Sequence, residues 1–174
     1  SPRYTGPVEI GKSARFRATA LREGGENASY SREFAFSKST GRPAVLNTKP
    51  NDSYTFEGAS LLVDGYHSRP VFTSGAWLGY LDEPLDVTID MGGEQSYRSV
   101  ELETLAEKGD WIFPPSSVTV WVSDNGTDFT EVASVTVPEA KVGDADGIGR
   151  YRMQFPETSA RYLKVVAQNA AAIP

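Results

Sequence analysis

The sequence predicts an all-β sandwich. Stretches of alternating apolar and polar residues recur along the 174 residues, whereas the 3.6-residue periodicity of an amphipathic helix is almost absent. Turn-forming segments rich in glycine, proline, asparagine and aspartate separate these stretches. Many short strands joined by such turns are typical of a sandwich. The alternation predicts strands at residues 14–21, 32–36, 85–91, 99–105, 117–123, 151–155 and 161–166.

One strand and the loop before it dominate the pattern. Apolar residues occupy every second position of residues 85–91, so one face of this strand is predicted to pack in a core. Gly92-Gly93 follows and predicts the end of the strand. Upstream, the sequence predicts a short helical turn at residues 58–63 and a tight turn at Asp64-Gly65. The loop between the Asp64-Gly65 turn and the strand at residues 85–91 is therefore expected to extend from a rigid sheet, as binding loops commonly do.

A β-hairpin is predicted at residues 117–130. Val118, Val120 and Val122 alternate with polar or aromatic residues and are expected to face the core. Asn125-Gly126 is expected to supply the positive φ angles that a tight turn requires.

A polar segment, KSTGRP at residues 38–43, separates two β regions. It predicts a domain boundary. The first 37 residues offer two or three strands, which are too few to close a sandwich alone.

Composition excludes two classes of partner. The net charge of -6, from 17 basic and 23 acidic side chains, repels a nucleic-acid backbone. No apolar run reaches the ~18 residues that a membrane span requires. The chain has no cysteine, so neither a disulfide framework nor a thiolate metal site is expected.

The segment GPVEIGKS at residues 6–13 matches the pattern of a phosphate-binding loop. Such a loop needs a buried strand before it and a helix after it, so that backbone amides and the helix dipole converge on phosphate. Here five residues precede it, and residues 14–21 alternate like a strand. A nucleotide site is therefore not expected here.

Catalytic patterns are also weak. His67 lies near Ser68 and Asp64 in sequence, but a triad requires residues that are held by different elements. The acidic pair Asp82-Glu83 is followed at once by Pro84 and is interpreted as a turn. No catalytic residue is predicted.

Several segments, taken in order, resemble a known family. They are RFRATAL, REFAFSKSTGRPAVLNTKP, YTFEGASLLVDG, WLGYLDEPLDVTIDMG, WIFPPSSVTVWVSDNGTDF and ARYLKVVAQN. Together they resemble the C-terminal, non-catalytic part of bacterial β-N-acetylhexosaminidases (chitobiases) of glycoside hydrolase family 20. The resemblance implies the C-terminal half of a fibronectin-type-III-like module at residues 1–37 and a linker at 38–43. A discoidin-like jelly-roll sandwich that lacks its last strand would occupy residues 44–174.

The resemblance also implies a function. The family's accessory domains accompany a catalytic barrel that takes roughly 250 residues, which this chain does not contain. The chain is therefore expected to be a non-catalytic region of a periplasmic, cell-surface or secreted enzyme. It would bind a glycan containing N-acetylhexosamine or galactose, or alternatively brace the catalytic barrel without binding sugar.

Discoidin-like domains of this kind often hold a structural Ca²⁺, and the resemblance places it at Asp64. Oxygens of Leu61 and of Ser74 or its neighbour Thr73 are the further ligands that it implies, because calcium takes six to eight oxygens. The alternative is that Asp64 only shapes its turn.

Sugar sites on such sandwiches lie on loops at one end, where aromatic rings stack on pyranose rings and planar polar groups bind adjacent hydroxyls. Trp77 is expected to pack in the interior, and Trp121 either packs or is exposed for stacking. The residues that we expect to bind ligand are Tyr66, His67, Arg69 and Phe72, joined by Trp111 and Phe113.

Overall fold

The computed structural model describes residues 3–21, 24–25, 28–141 and 143–170. Within these ranges the regular elements are strands and short 3₁₀ helices. The strands are β1 (Ala14–Ala20), β2 (Ala28–Phe34), β3 (Ala44–Leu46), β4 (Leu85–Ala106), β5 (Ser117–Ser123), β6 (Thr130–Thr136) and β7 (Gly147–Gln168). The 3₁₀ helices are Asp52–Tyr54, Gly58–Leu62, Phe72–Ser74 and Lys108–Asp110.

Two sheets contain these strands, and every pairing is antiparallel. β1 and β2 form a hairpin, and the other five strands form one sheet in the order β3-β4-β7-β5-β6. The longest ladder joins β4 to β7, from Leu85 opposite Ala167 to Ala106 opposite Gly147. The predicted all-β class and the predicted strand after residues 6–13 are confirmed, since β1 follows that segment directly. The sequence prediction missed β3 and β6.

Gly92-Gly93 does not end the fourth strand, so that prediction is wrong. β4 continues through both glycines, and its pairing with β7 shifts between Asp90 and Gln95. Gly92 has a φ of 79°, a left-handed conformation that glycine adopts at little cost, and its N–H donates to Asp90 Oδ1 at 2.9 Å. The glycines therefore form a bulge that bends the strand.

The two strands predicted at 151–155 and 161–166 are one strand, β7. Its ladder shifts where Gln154 lies opposite Ser99 and Thr158 lies opposite Tyr97. Pro156 lies within this irregularity, where its lack of an N–H costs no ladder hydrogen bond. Both long strands therefore bend without ending.

The core draws on both halves of the bent strands. Met91 is 1% exposed and Val118 and Val120 are fully buried. Tyr97, from the second half of β4, belongs to the same cluster. The bends thus place the two halves around one core, which is how a sandwich forms from long strands. The remaining members are Val63, Leu85, Val87, Ile89, Val122, Met153, Phe155, Ala160, Leu163, Val165 and Ala167.

The hairpin predicted at residues 117–130 is confirmed for its first strand, β5, whereas its second strand, β6, begins only at Thr130. Its turn also differs from the prediction. Gly126 has a φ of 76°, whereas Asn125 is not among the residues with positive φ. The Asn125 side chain closes the loop instead, because its Oδ1 accepts hydrogen bonds from the N–H groups of Thr127 and Asp128, each at 2.9 Å. The predicted helical turn at 58–63 is confirmed as the 3₁₀ helix Gly58–Leu62.

The β1-β2 hairpin contacts the loop that precedes β4. Phe34 forms an isolated antiparallel bridge with Tyr66, and the Ala35 N–H donates to Gly65 O at 2.7 Å. Gly65 has a φ of 77°, and a Cβ added there would lie 3.0 Å from Thr40 Cγ2. Only glycine therefore fits this position without strain. The proposed domain limits at 1–37, 38–43 and 44–174 stay a prediction.

Candidate functional site

A cleft of about 800 Å³ opens among the loops of the sandwich. It lies between the turn after β2, the loop that precedes β4, the second half of β4 and the segment 110–115. Small-molecule sites typically measure roughly 300 to 1,000 Å³. The cleft brings together residues that the sequence places far apart: Leu61, Asp64, Tyr66, His67, Phe72, Trp111 and Phe113. Arg69 and Ser74 are not among the residues that line it.

Trp111 is the most prominent aromatic side chain of the cleft. It is 72% exposed and follows the 3₁₀ helix Lys108–Asp110 with a left-handed backbone, φ 61° and ψ 28°. Reciprocal hydrogen bonds between Glu107 and Ile112, at 2.9 and 3.1 Å, close this loop at its base. Phe113 contacts the indole edge to face, with ring centroids 6.5 Å apart. The loop therefore holds an exposed indole in place despite an unfavourable backbone conformation.

Tyr66 is less available than Trp111. The Arg32 guanidinium carbon lies 3.6 Å from the centre of the Tyr66 ring, and the Phe34 ring centroid lies 4.8 Å away. The Tyr66 N–H donates to Asp64 Oδ1 at 2.8 Å. One face of the Tyr66 ring is therefore covered by the N-terminal hairpin, and its role in the cleft is to form part of the wall.

His67 belongs to a charged network that the sequence did not reveal. Its Nδ1 lies 2.7 Å from Glu103 Oε1, and Arg150 Nε donates to the same oxygen at 2.7 Å. The Glu103 side chain is 16% exposed and that of His67 is 40% exposed. A carboxylate accepts hydrogen bonds, so Nδ1 is the donor, and Nε2 has no hydrogen-bond partner among the described residues. The hydrogen bond from Arg150 to Glu103 also raises the pKa of Arg150.

Arg69 and Phe72 take structural positions in the loop. The Arg69 carbonyl accepts a hydrogen bond from Trp77 Nε1 at 2.9 Å, which fixes the indole that we expected to pack. Phe72 begins the 3₁₀ helix Phe72–Ser74 and contacts Tyr54 edge to face at 6.3 Å. Trp121 lies on β5, outside the cleft.

Asp64 shapes its turn as well as lining the cleft. Burial raises the pKa of its carboxyl group above the usual value, although the hydrogen bond from the Tyr66 N–H opposes this shift. Ser74 Oγ accepts a long hydrogen bond, 3.4 Å, from the Ala76 N–H. Among the described residues, no group of three histidines or acidic residues is placed to hold a metal ion. A calcium ion here would therefore depend on backbone and hydroxyl oxygens for most of its ligands.

Glu103 and Arg150 were not predicted because nothing local marks them. Glu103 lies 36 residues from His67, on a strand whose polar positions are typical of any solvent-facing strand. Their proximity results from the pairing of β4 with β7.

In the described residues we also find no helix that is long and apolar enough to span a membrane.

The structure is thus a β-sandwich whose loops enclose a cleft lined by aromatic and hydrogen-bonding side chains. The chain belongs to the F5/8 type C domain family, which it matches over residues 46–173. This membership confirms the predicted discoidin-like fold. Its fold is similar to that of two solved chitosan-binding modules.

Two solved structures illustrate the likeness. One is chitosan-binding module 2 of a chitosanase/glucanase from Paenibacillus sp. IK-5, solved with chitotriose. It is 18% identical to this chain with a TM-score of 0.51, and the match covers 79% of this chain and 91% of the module. Chitosan-binding module 1 of the same enzyme is 20% identical with a TM-score of 0.52 and covers 79% of this chain and 90% of its own. The comparison with curated proteins produced no match.

Proposed function

We propose that this chain is a non-catalytic, carbohydrate-binding region of an exported β-N-acetylhexosaminidase. The observation that supports it most directly is Trp111, an indole 72% exposed at a cleft and held in a left-handed backbone conformation. Strained conformations of bulky residues cluster at functional sites. Such a module in the periplasm, at the cell surface or outside the cell raises the enzyme's effective concentration on its glycan.

The geometry suits a neutral saccharide. The exposed indole offers a flat apolar face for a pyranose ring, and His67 offers a ring nitrogen to a sugar hydroxyl. The carboxylate of Glu103 is already paired with Arg150, so the network adds little net charge. The cleft thus provides stacking together with directional hydrogen bonds, which is the combination that sugar recognition needs.

A titration tests this function. The protein is titrated with N-acetylglucosamine oligomers, galactose and N-acetylgalactosamine, and binding is followed by calorimetry and tryptophan fluorescence. Saturable binding that His67→Ala weakens would support the proposal. Tyr30→Ala is the matched control, because Tyr30 is an exposed residue, 54%, on β2 and outside the cleft. No binding at millimolar sugar would contradict it.

A second candidate is a domain that braces the catalytic barrel of the same parent chain. Exposed apolar side chains near the N-terminal hairpin favour it, since Leu21 is 80%, Tyr4 is 73% and Val8 is 57% exposed. Exposed apolar side chains that form a contiguous patch often mark a protein contact. In the parent enzyme, Leu21→Ser would then lower the thermal stability of the barrel without changing sugar binding. An unchanged barrel would exclude this role for that surface.

We also propose Ca²⁺ as a structural ion beside Asp64, with oxygens of Leu61 and Ser74 as further ligands. Burial raises the pKa of the Asp64 carboxyl group because it disfavours the charged form, and a neighbouring cation would favour that form. Calcium is then expected to raise the melting temperature of the wild type relative to chelator, and Asp64→Asn is expected to remove this difference. An equal calcium effect in both proteins would contradict the site.

A further inference from the structure

Three hydroxyl groups form a cluster on the wall of the cleft, and none of them was predicted from the sequence to bind ligand. Ser37, Ser39 and Thr40 line the cleft in the turn that follows β2. Ser37 Oγ lies 2.8 Å from Ser39 Oγ and 3.4 Å from Thr40 Oγ1. The sequence assigned Ser39 and Thr40 to a linker at residues 38–43 and Ser37 to the end of the first module.

Backbone hydrogen bonds hold the turn against the loop before β4. The Ala35 N–H donates to Gly65 O, and the Gly41 N–H donates to Val63 O, each at 2.7 Å. The Ser37 N–H donates to Thr40 Oγ1 at 2.9 Å. The hydroxyls are therefore held in place before any ligand arrives, which lowers the entropic cost of binding.

The cluster does not use all of its own hydrogen-bonding capacity. Each hydroxyl supplies one donor and two acceptor sites. Thr40 Oγ1 accepts from the Ser37 N–H, and Ser37 Oγ accepts from the Ser39 N–H at 3.3 Å. Two contacts between hydroxyls use at most two of the three hydroxyl protons. Within the described residues, the one hydrogen bond of Ser39 Oγ is to Ser37 Oγ. Of the three hydroxyls, Ser39 therefore keeps the most unused hydrogen-bonding capacity.

We propose that Ser37, Ser39 and Thr40 form a saccharide-binding wall of the cleft, where the Ser39 hydroxyl binds a hydroxyl group of the sugar. This inference rests on the proposed glycan-binding function and names its ligand class as a neutral saccharide. The wall offers uncharged donors and acceptors, which match neighbouring sugar hydroxyls. The turn after β2 is thus part of the binding site.

The test compares Ser39→Ala with Ser29→Ala in the full chain. Ser29 is a matched control, because its Oγ lies 3.1 Å from Thr19 Oγ1 on the β1-β2 hairpin, outside the cleft. Both variants are titrated with an N-acetylglucosamine trimer, galactose and N-acetylgalactosamine. Loss of one neutral hydrogen bond is expected to weaken binding to Ser39→Ala about three- to tenfold. Ser29→Ala is expected to bind like the wild type.

Each result has a distinct meaning. Wild-type binding that Ser39→Ala leaves unchanged overturns the hydroxyl wall and leaves the proposed function standing. If the wild type binds none of the three sugars, both proposals fail. If Ser39→Ala also lowers the melting temperature, Ser39→Thr decides the matter, because it restores a hydroxyl at the same position. Recovery of affinity in Ser39→Thr supports the wall, and its absence overturns it.

Discussion

At the scale of single residues, Trp111 combines an exposed side chain with a left-handed backbone. A bulky residue at φ 61° is strained, since its Cβ approaches the following carbonyl oxygen at a cost of roughly 1–2 kcal/mol. Packing of the exposed indole offsets little of this cost. Among the described residues, Phe113 supplies the one aromatic ring that Trp111 contacts. The conformation is therefore consistent with the proposed role of this ring as a stacking surface.

We predict that Trp111→Gly and Trp111→Ala both lose saccharide binding but differ in stability. Glycine accepts the left-handed conformation and alanine does not, so the glycine variant is expected to be more stable by about 1 kcal/mol. Thermal unfolding and calorimetric titration measure the two effects. Equal stability of the variants would show that residue 111 is not strained, and retained binding would exclude the indole as the stacking surface.

At the scale of elements, the bulge in β4 depends on one of two adjacent glycines. Gly92 has a φ of 79°, and a Cβ added there would lie 3.1 Å from Arg42 Nη1. Gly93 has no positive φ, and a Cβ added there would meet nothing within 4 Å. Substitutions at these two adjacent positions therefore compare a glycine with positive φ with one that lacks it.

Gly92→Ala is expected to cost about 1–2 kcal/mol of unfolding free energy, because alanine is strained at a positive φ. Gly93→Ala is expected to change stability by less than about 0.5 kcal/mol. Urea denaturation of both variants measures the difference. If both changes cost the same, the bulge does not depend on the left-handed conformation of Gly92.

An ion pair beside this bulge gives a pH dependence. Arg161 donates from Nε and Nη2 to the two carboxylate oxygens of Asp90, at 2.9 and 2.8 Å. These hydrogen bonds, with that from the Gly92 N–H, lower the pKa of Asp90 to about 2. Because the folded-state pKa lies below the unfolded value, near 4, the stabilisation is complete above about pH 4 and is lost toward pH 2.

Asp90→Asn is therefore expected to be less stable than the wild type at pH 7, with a difference in unfolding free energy that narrows between about pH 4 and pH 2. Denaturant midpoints at several pH values measure the gap. Arg161→Gln provides the control, since it removes the same pair from the other side. The double variant is then expected to lose no more than either single variant, and a gap independent of pH would exclude this ion pair as its cause.

At the scale of the whole molecule, one core unites both halves of the long strands. Met91 is 1% exposed and precedes the β4 bulge, whereas Tyr97 lies beyond it in the same cluster. The Tyr97 hydroxyl donates to Ala160 O at 3.0 Å, and burial raises the pKa of this tyrosine to about 12. The sandwich is therefore expected to unfold as one cooperative unit.

Met91→Ala is predicted to destabilise the protein by about 2–5 kcal/mol, through lost burial and a residual cavity. Val45→Ala is the control, because Val45 is 62% exposed on β3. Unfolding followed by circular dichroism and by tryptophan fluorescence is expected to give one coincident transition in both variants. Two separate transitions would contradict a single core.

The sequence predicted the strands and several turns well because these follow local rules. Alternation in residues 85–91 and at Val118, Val120 and Val122 identified strands that the structure contains. Gly92-Gly93 failed as a terminator, since a glycine pair is compatible with a turn or a bulge and only the partner strand decides between them. The residues around Gly92-Gly93 do not encode how β4 pairs with β7.

The candidate site was predictable only in part. Aromatic and polar residues after Asp64 and around Trp111 were identified by type, and the fold brings most of them to one cleft. Glu103 joins His67 from 36 residues away. Ser39 lay in a segment whose polar composition is equally typical of a linker. Residue type indicates what a side chain can do, but not which other side chains it meets.

By itself, then, the sequence determined the all-β class, the faces of its strands and several turn glycines, because backbone sterics and burial act over a few residues. The tertiary structure decided that β4 and β7 bend without ending. It also decided that Arg32 covers Tyr66 and that the turn after β2 forms a wall of the cleft. These features depend on contacts between distant segments, which the packing of the whole chain sets.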